Sequence, residues 1–157
     1  MISSEKKSGS LPDFAEARKR YEKFSRGDQA QLGKRMGSPE DVSMVPAFYK
    51  LFPGIVPNER FRQVAFILPW CRHQDGAKSL GAQLANQGIN EKRLFQVVRS
   101  EAPKDLIYLR RLLQRLELTV DWRALGKSVF FWSDNDIAKR QLIEQYFIAR
   151  HGAGKGE

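Results

Sequence analysis

The stretch from Ser79 to Leu116, SLGAQLANQGINEKRLFQVVRSEAPKDLIYLRRLLQRL, constrains the fold more than any other part of this chain. Its apolar residues recur at helical spacing and show no strict two-residue alternation. At about 100° per residue, Leu94, Phe95, Val97 and Val98 share one arc. Lys92, Gln96 and Arg99 line up beside that arc at i, i+4 and i+7, with Arg93 at its far edge. The next helix repeats the plan: Leu106, Leu109, Leu112, Leu113 and Leu116 form a core stripe, and Lys104, Arg111 and Arg115 stack nearly opposite. Such elements bury one side and hydrate the other. A cationic outer row suits a surface that meets a polyanion.

Start and stop signals divide the rest of the chain into further helices. Asp13 to Ser25 places Phe14, Ala17, Tyr21 and Phe24 on one face. Asp28 is the expected cap of a helix running from Gln29 to Met36. Ser38-Pro39-Glu40-Asp41 is a start signal, with proline at the first helical position and acids in the first turn. Pro46 opens a short helix that Pro53-Gly54 stops. Asn58 caps a helix from Glu59 to about Leu68, with Phe61, Val64, Ala65 and Leu68 inward, and Pro69 ends or kinks it. The polar, glycine-containing residues 72–78 predict a loop, placed to separate two helical halves.

Ser79 caps a helix that Gly88 ends, and Asn90 caps the helix from Glu91 to Ser100. Pro103 sits just inside a helix reaching about Leu116, and Asp121 caps one through Trp122, Leu125 and Val129. Ser133 or Asp134 is the expected cap of a last helix, residues 135–150, with Ile137, Leu142, Ile143, Tyr146 and Phe147 on its inner face. The run from Val129 to Trp132 has strand propensity but no partner strand. The expected fold is all-α, a compact bundle of roughly eight to nine short helices. One domain over residues 13–150 is expected, between a flexible leader, 1–12, and a flexible tail, 151–157.

Charge and composition then exclude several function classes. The 157 residues carry a formal net charge of +9, with 41% hydrophobic and 11% aromatic residues, enough for a core without metal or disulfide. Residues 1–35 hold nine Lys or Arg against five acids and residues 90–116 hold seven against three, while 36–89 hold five against four. This concentration favours nucleic acid or an anionic membrane over small acidic substrates. The single cysteine, Cys71, precludes an internal disulfide and fits a reducing cytoplasm. No apolar run is long enough for a membrane span, and the start of the chain lacks a signal core.

Cys71 and His73, two apart, do not form a nucleophile–base pair. One cysteine and two scattered histidines, His73 and His151, do not supply a zinc set. The carboxylates do not cluster in sequence as metal-dependent nucleases require, and Asp134 and Asp136 read as helix-start acids. The expectation is no enzyme, no metal and no cofactor. Trp122 and Trp132 lie in apolar runs and are assigned to the core rather than to base stacking.

The run SLGAQLANQGINEKRLFQVVRSE, followed after a gap by LRRLL, then DW and FFW, resembles the small subunit of the type I-E CRISPR surveillance complex, the CasB family of Cascade. VPAFYKL at residues 45–51 fits the same family, and the likeness spans roughly residues 30–148. The first thirty residues match poorly, and the linker at Phe52–Glu59 is shortened. The resemblance implies a non-catalytic subunit of a crRNA-guided complex, with two tandem copies along a backbone of repeated subunits, helping to hold an opened target. Its implied partners are crRNA, both strands of target DNA, the backbone and large subunits, and a second copy of itself.

Carried over by position, the implied nucleic-acid-binding residues are Lys34, Arg35, Arg93, Arg99, Arg110, Arg111, Lys127 and Arg140. The helical rows add Lys92 and Arg115. Arg110 and Lys127 have a plainer reading as side chains lying over apolar neighbours. The alternative function is a basic protein–protein adaptor with no nucleic-acid contact.

Overall fold

Capping chemistry sets most element boundaries. The computed structural model describes residues 11–33 and 36–152. The Asp13 carboxylate accepts from the Ala15 and Glu16 amides at 3.0 and 3.3 Å and starts α1, Phe14–Lys23. Ser25 Oγ accepts from the Asp28 amide at 3.1 Å, so α2 is Arg26–Gly33 and begins earlier than expected. Asp28 is not the cap. It lies in the first turn, where the helix dipole favours an acid, and meets Lys50 at 2.9 Å. A 3₁₀ turn, Pro39–Met44, and α3, Pro46–Leu51, both open on proline. Asn58 caps α4, Glu59–Ile67, which runs into a second 3₁₀ turn, Leu68–Trp70.

After strand β1, Cys71–His73, come α5, Leu80–Asn86, and α6, Glu91–Arg99, capped by Ser79 and Asn90 as expected. Then follow α7, Lys104–Leu116; strand β2, Leu118–Val120; α8, Trp122–Phe130, capped by Asp121; and α9, Ile137–Gly152. Gly88 takes a φ of 79° to turn the chain between α5 and α6. No described helix is long and apolar enough to cross a membrane.

The fold is predominantly helical, with one addition to the expected all-α architecture. β1 and β2 pair in parallel, in the register Cys71↔Leu118, Arg72↔Thr119 and His73↔Val120. The expected loop at 72–78 therefore begins as a strand. Glu117, at a φ of 53°, turns the chain from α7 into β2. The pair is tied down from both sides: Trp122 Nε1 donates to the Cys71 carbonyl at 2.9 Å, and Gln83 Nε2 to the Thr119 carbonyl at 2.7 Å. The run from Val129 to Trp132 is not a strand; Val129 and Phe130 end α8 and Phe131 and Trp132 follow in a turn.

One apolar cluster runs from Phe14 to Tyr146, on both sides of residues 72–78. Trp122 and Trp132 are buried in it. α9 packs most extensively against α5. Its start corrects the expectation: neither Ser133 nor Asp134 caps it. Asn135 Oδ1 accepts from the Ile137 amide at 2.8 Å, while the Ser133 hydroxyl donates to Gln63 and Asp134 pairs with Arg60. Its buried face is Ala138, Leu142 and Tyr146; Ile143 and Phe147 are half-buried and Ile137 is 51% exposed. Tyr146 sets this rotation by donating its hydroxyl proton to the Ile89 carbonyl.

Candidate nucleic-acid interface

Two adjacent helices carry the cationic rows. On α6, Leu94 and Val97 are buried while Lys92, Arg93 and Arg99 are exposed. The Arg99 guanidinium carbon lies 4.1 Å from the centre of the Phe95 ring, so its planar fork rests on an aromatic face. On α7, Leu106, Leu109, Leu112 and Leu113 are buried, and Lys104, Arg111 and Arg115 are exposed. At 100° per residue these three fall within an arc of about 40°. Arg111 sits 5.9 Å from the Tyr108 ring centre. α6 packs directly against α7.

Some of the other cations are held in ion pairs. Arg18 meets Glu22 at 3.0 Å, Lys19 meets Glu16 at 3.5 Å, and Lys50 meets Asp28. Arg60 meets Asp134 at 2.8 Å, Arg123 bridges Asp13 and Asp75, and Lys139 meets Asp105 at 2.9 Å. Among the described residues, none of these pairs includes Lys92, Arg93, Arg99, Lys104, Arg111, Arg115, Lys127 or Arg140. Among the described residues, the exposed cations of α6 and α7 are left without a carboxylate partner, and their field points outward.

Arg110 is a correction. It is 3% exposed and faces inward. Its guanidinium donates to the Phe66 carbonyl at 2.9 Å, the Gly33 carbonyl at 2.5 Å and the Leu32 carbonyl at 3.5 Å. Those carbonyls belong to the C-terminal ends of α4 and α2, the negative ends of two helix dipoles. The group lies over the Phe66 and Trp70 rings, and burial lowers its pKa to about 10. Arg110 occupies the inner side of α7 because it stands one turn from Leu106 and Leu113 on the buried arc; its role is to join helices.

The other expected residues are spread more widely. Lys34 and Arg35 lie outside the described residues. Lys127 is exposed on α8 at a groove of about 860 Å³ that Phe131, Ile137 and Ile148 also line. Arg140 is exposed on α9, one residue beyond Lys139, which donates to the Ser100 carbonyl between α6 and α7. Lys92, Arg93 and Arg99 are thus exposed on α6 and Lys104, Arg111 and Arg115 on α7, while Lys127 and Arg140 lie on α8 and α9. Sequence reasoning also missed His151, which lies in the last turn of α9 with its ring stacked on Phe147. Their i, i+4 spacing was the available signal.

One titratable cluster lies outside the rows. His73, Asp75 and Asp121 each offer an atom within 4.8 Å of the others. Most of their polar atoms already carry hydrogen bonds within the protein. His73 Nδ1 accepts from the Trp122 amide at 3.0 Å, which assigns the ring proton to Nε2, where it meets Asp75 at 2.7 Å. Arg123 takes the same Asp75 oxygen, and Asp121 accepts from the Gly76 and Arg123 amides. As it stands, the hydrogen-bonded set is a brace between β1 and the start of α8. The hydrogen bond from His73, and then Arg123, hold the Asp75 carboxyl below its ordinary pKa. Burial pushes the Cys71 thiol up to about 12, so it is no nucleophile.

The family described as CRISPR-associated protein Cse2 matches residues 23–147. The chain is 32% identical over 144 residues to the CRISPR system Cascade subunit CasB of Escherichia coli strain K12, covering 82% of this chain and 88% of that protein. It is also similar to a chain in the crystal structure of E. coli Cascade bound to a PAM-containing dsDNA target, with a TM-score of 0.82 and 30% identity. That similarity covers 91% of this chain and 99% of the other.

Proposed function

The chain belongs to the CRISPR-associated Cse2 family, and from that premise we propose that it is the non-catalytic small subunit of a crRNA-guided surveillance complex. Its work is to hold the sugar–phosphate backbone of an opened DNA target without reading sequence. Guide pairing supplies sequence recognition, and exchange of one duplex for another is nearly balanced in energy, so modest contacts to a displaced strand tip it. The partners on this reading are crRNA, both target strands, the backbone and large subunits, and a second copy in tandem. The observation that carries it is the set of exposed, unpaired cations on α6 and α7.

Fluorescence anisotropy with labelled single strands tests the reading. Neutralising four to six phosphates gives a log K against log salt slope of about −3 to −4, with no preference between unrelated sequences. Binding that ignores salt, or no binding at all, would overturn it in favour of a protein–protein adaptor. Strand cleavage that needs Mg²⁺ and stops on chelation would refute the non-catalytic role.

A further inference from the structure

Four side chains form a ladder across α6 and α9. Arg99 lies on Phe95. The Phe95 and Phe147 centroids are 6.1 Å apart, with planes tilted by 37°. Phe147 and His151 are stacked, 5.8 Å apart and 5° from parallel. Phe147 also packs against the core, edge-on to the buried Tyr146 ring. Phe95 and Phe147 are only half-buried, and the two ends, Arg99 and His151, are exposed. Beside the ladder stands Arg150, exposed, donating to the Tyr146 hydroxyl at 2.6 Å and meeting no carboxylate among the described residues.

The two aromatic rings are covered by their neighbours in the ladder, so its exposed ends, the planar cation Arg99 and the imidazole His151, are where a further π-face can stack. Nucleobases stack on such surfaces whatever their identity, because every base has a π-face. A guanidinium plane adds a cation–π contribution. Bases inside a duplex are already stacked and cannot use the surface, so it discriminates by strandedness. Arg99 belongs to both the ladder and the cationic row of α6, which places a stacked base where its phosphates meet that row.

We propose that the Arg99–Phe95–Phe147–His151 ladder is a base-stacking platform that holds an unpaired nucleotide of a single strand. This rests on the nucleic-acid reading above and narrows it, since phosphate contacts alone do not distinguish a single strand from a duplex.

The experiment compares two labelled strands with equal numbers of phosphates, oligothymidylate and the same backbone carrying abasic sugars. The wild-type protein binds the thymidylate strand about five- to tenfold more tightly. His151→Ala, Phe147→Leu and Arg99→Lys each bring that ratio toward one. Their salt slopes stay unchanged, because no phosphate contact is lost and lysine keeps the charge while losing the plane. Circular dichroism checks the fold of Phe147→Leu; should it fail, the two exposed positions carry the test. Equal wild-type affinity for both strands, or a ratio untouched by His151→Ala and Arg99→Lys, overturns the platform. Loss of salt-dependent binding to either strand overturns instead the nucleic-acid reading beneath it.

Discussion

Arg110 and Arg111 sit side by side in the chain, yet only Arg111 reaches water. Their substitutions therefore separate by readout. Arg99→Ala and Arg111→Ala each flatten the single-strand salt slope by about 0.7, the share of one phosphate. Their stabilities in urea stay near wild type, since neither carries an ion pair among the described residues. Arg110→Ala does the reverse: urea denaturation shows a loss of about 3 kcal/mol, because three buried helix-end carbonyls lose a charged donor. Asp75 belongs to this scale too. Its folded pKa is depressed, so its contribution is present above the ordinary carboxylate range, near pH 4. That contribution is lost as pH falls through the lower folded value. Asp75→Asn removes that acid-side segment of the stability profile while leaving the profile near neutral pH parallel to wild type.

Helix α5 meets α9 through a glycine. A Cβ on Gly81 would lie 2.5 Å from Gln145 Cβ, 2.6 Å from the Leu142 carbonyl oxygen and 2.8 Å from the Tyr146 amide. Two of those neighbours are backbone and cannot rotate away. Gly81→Ala therefore lowers stability by about 3 kcal/mol. Gly27→Ala, whose Cβ would meet only Ser25 Oγ at 3.9 Å inside α2, raises it by about 0.5 kcal/mol. Calorimetry on the pair checks both signs. Elements like these were legible where the signal is local. Asn58, Ser79, Asn90 and Asp121 all cap as their side chains dictate. Ambiguity entered where two cap-type residues stood close together. Ser25 displaced Asp28, and Asn135 displaced Ser133 and Asp134, whose side chains went to Gln63 and Arg60 from another element. The strands were not legible at all, since three residues carry no period and their pairing spans more than forty positions. The cationic rows were legible from spacing, but Arg110 was not, because its carbonyl partners come from α2 and α4.

At the scale of the whole molecule, the single thiol reports on the integrity of the core. Cys71 is 1% exposed, within the strand that receives Trp122, and its pKa of about 12 leaves almost no thiolate at neutral pH. Alkylation by iodoacetamide is expected only through opening of the core, at a rate that falls in step with measured stability. Native-state labelling as fast as that of the urea-unfolded chain would contradict this placement.

The parallel pairing of β1 with β2 also bears on when this protein becomes itself during synthesis. Cys71 leaves the ribosome long before Leu118, and every helix of the crossover, α5 to α7, must follow before the first strand finds its mate. The indole that covers the Cys71 carbonyl arrives later still, at position 122. A nascent chain halted at α7 has β1 without a neighbour, and the brace at His73 has nothing to hold. Commitment to the native state is thus deferred until the two distant strands and the tryptophan behind them have all emerged.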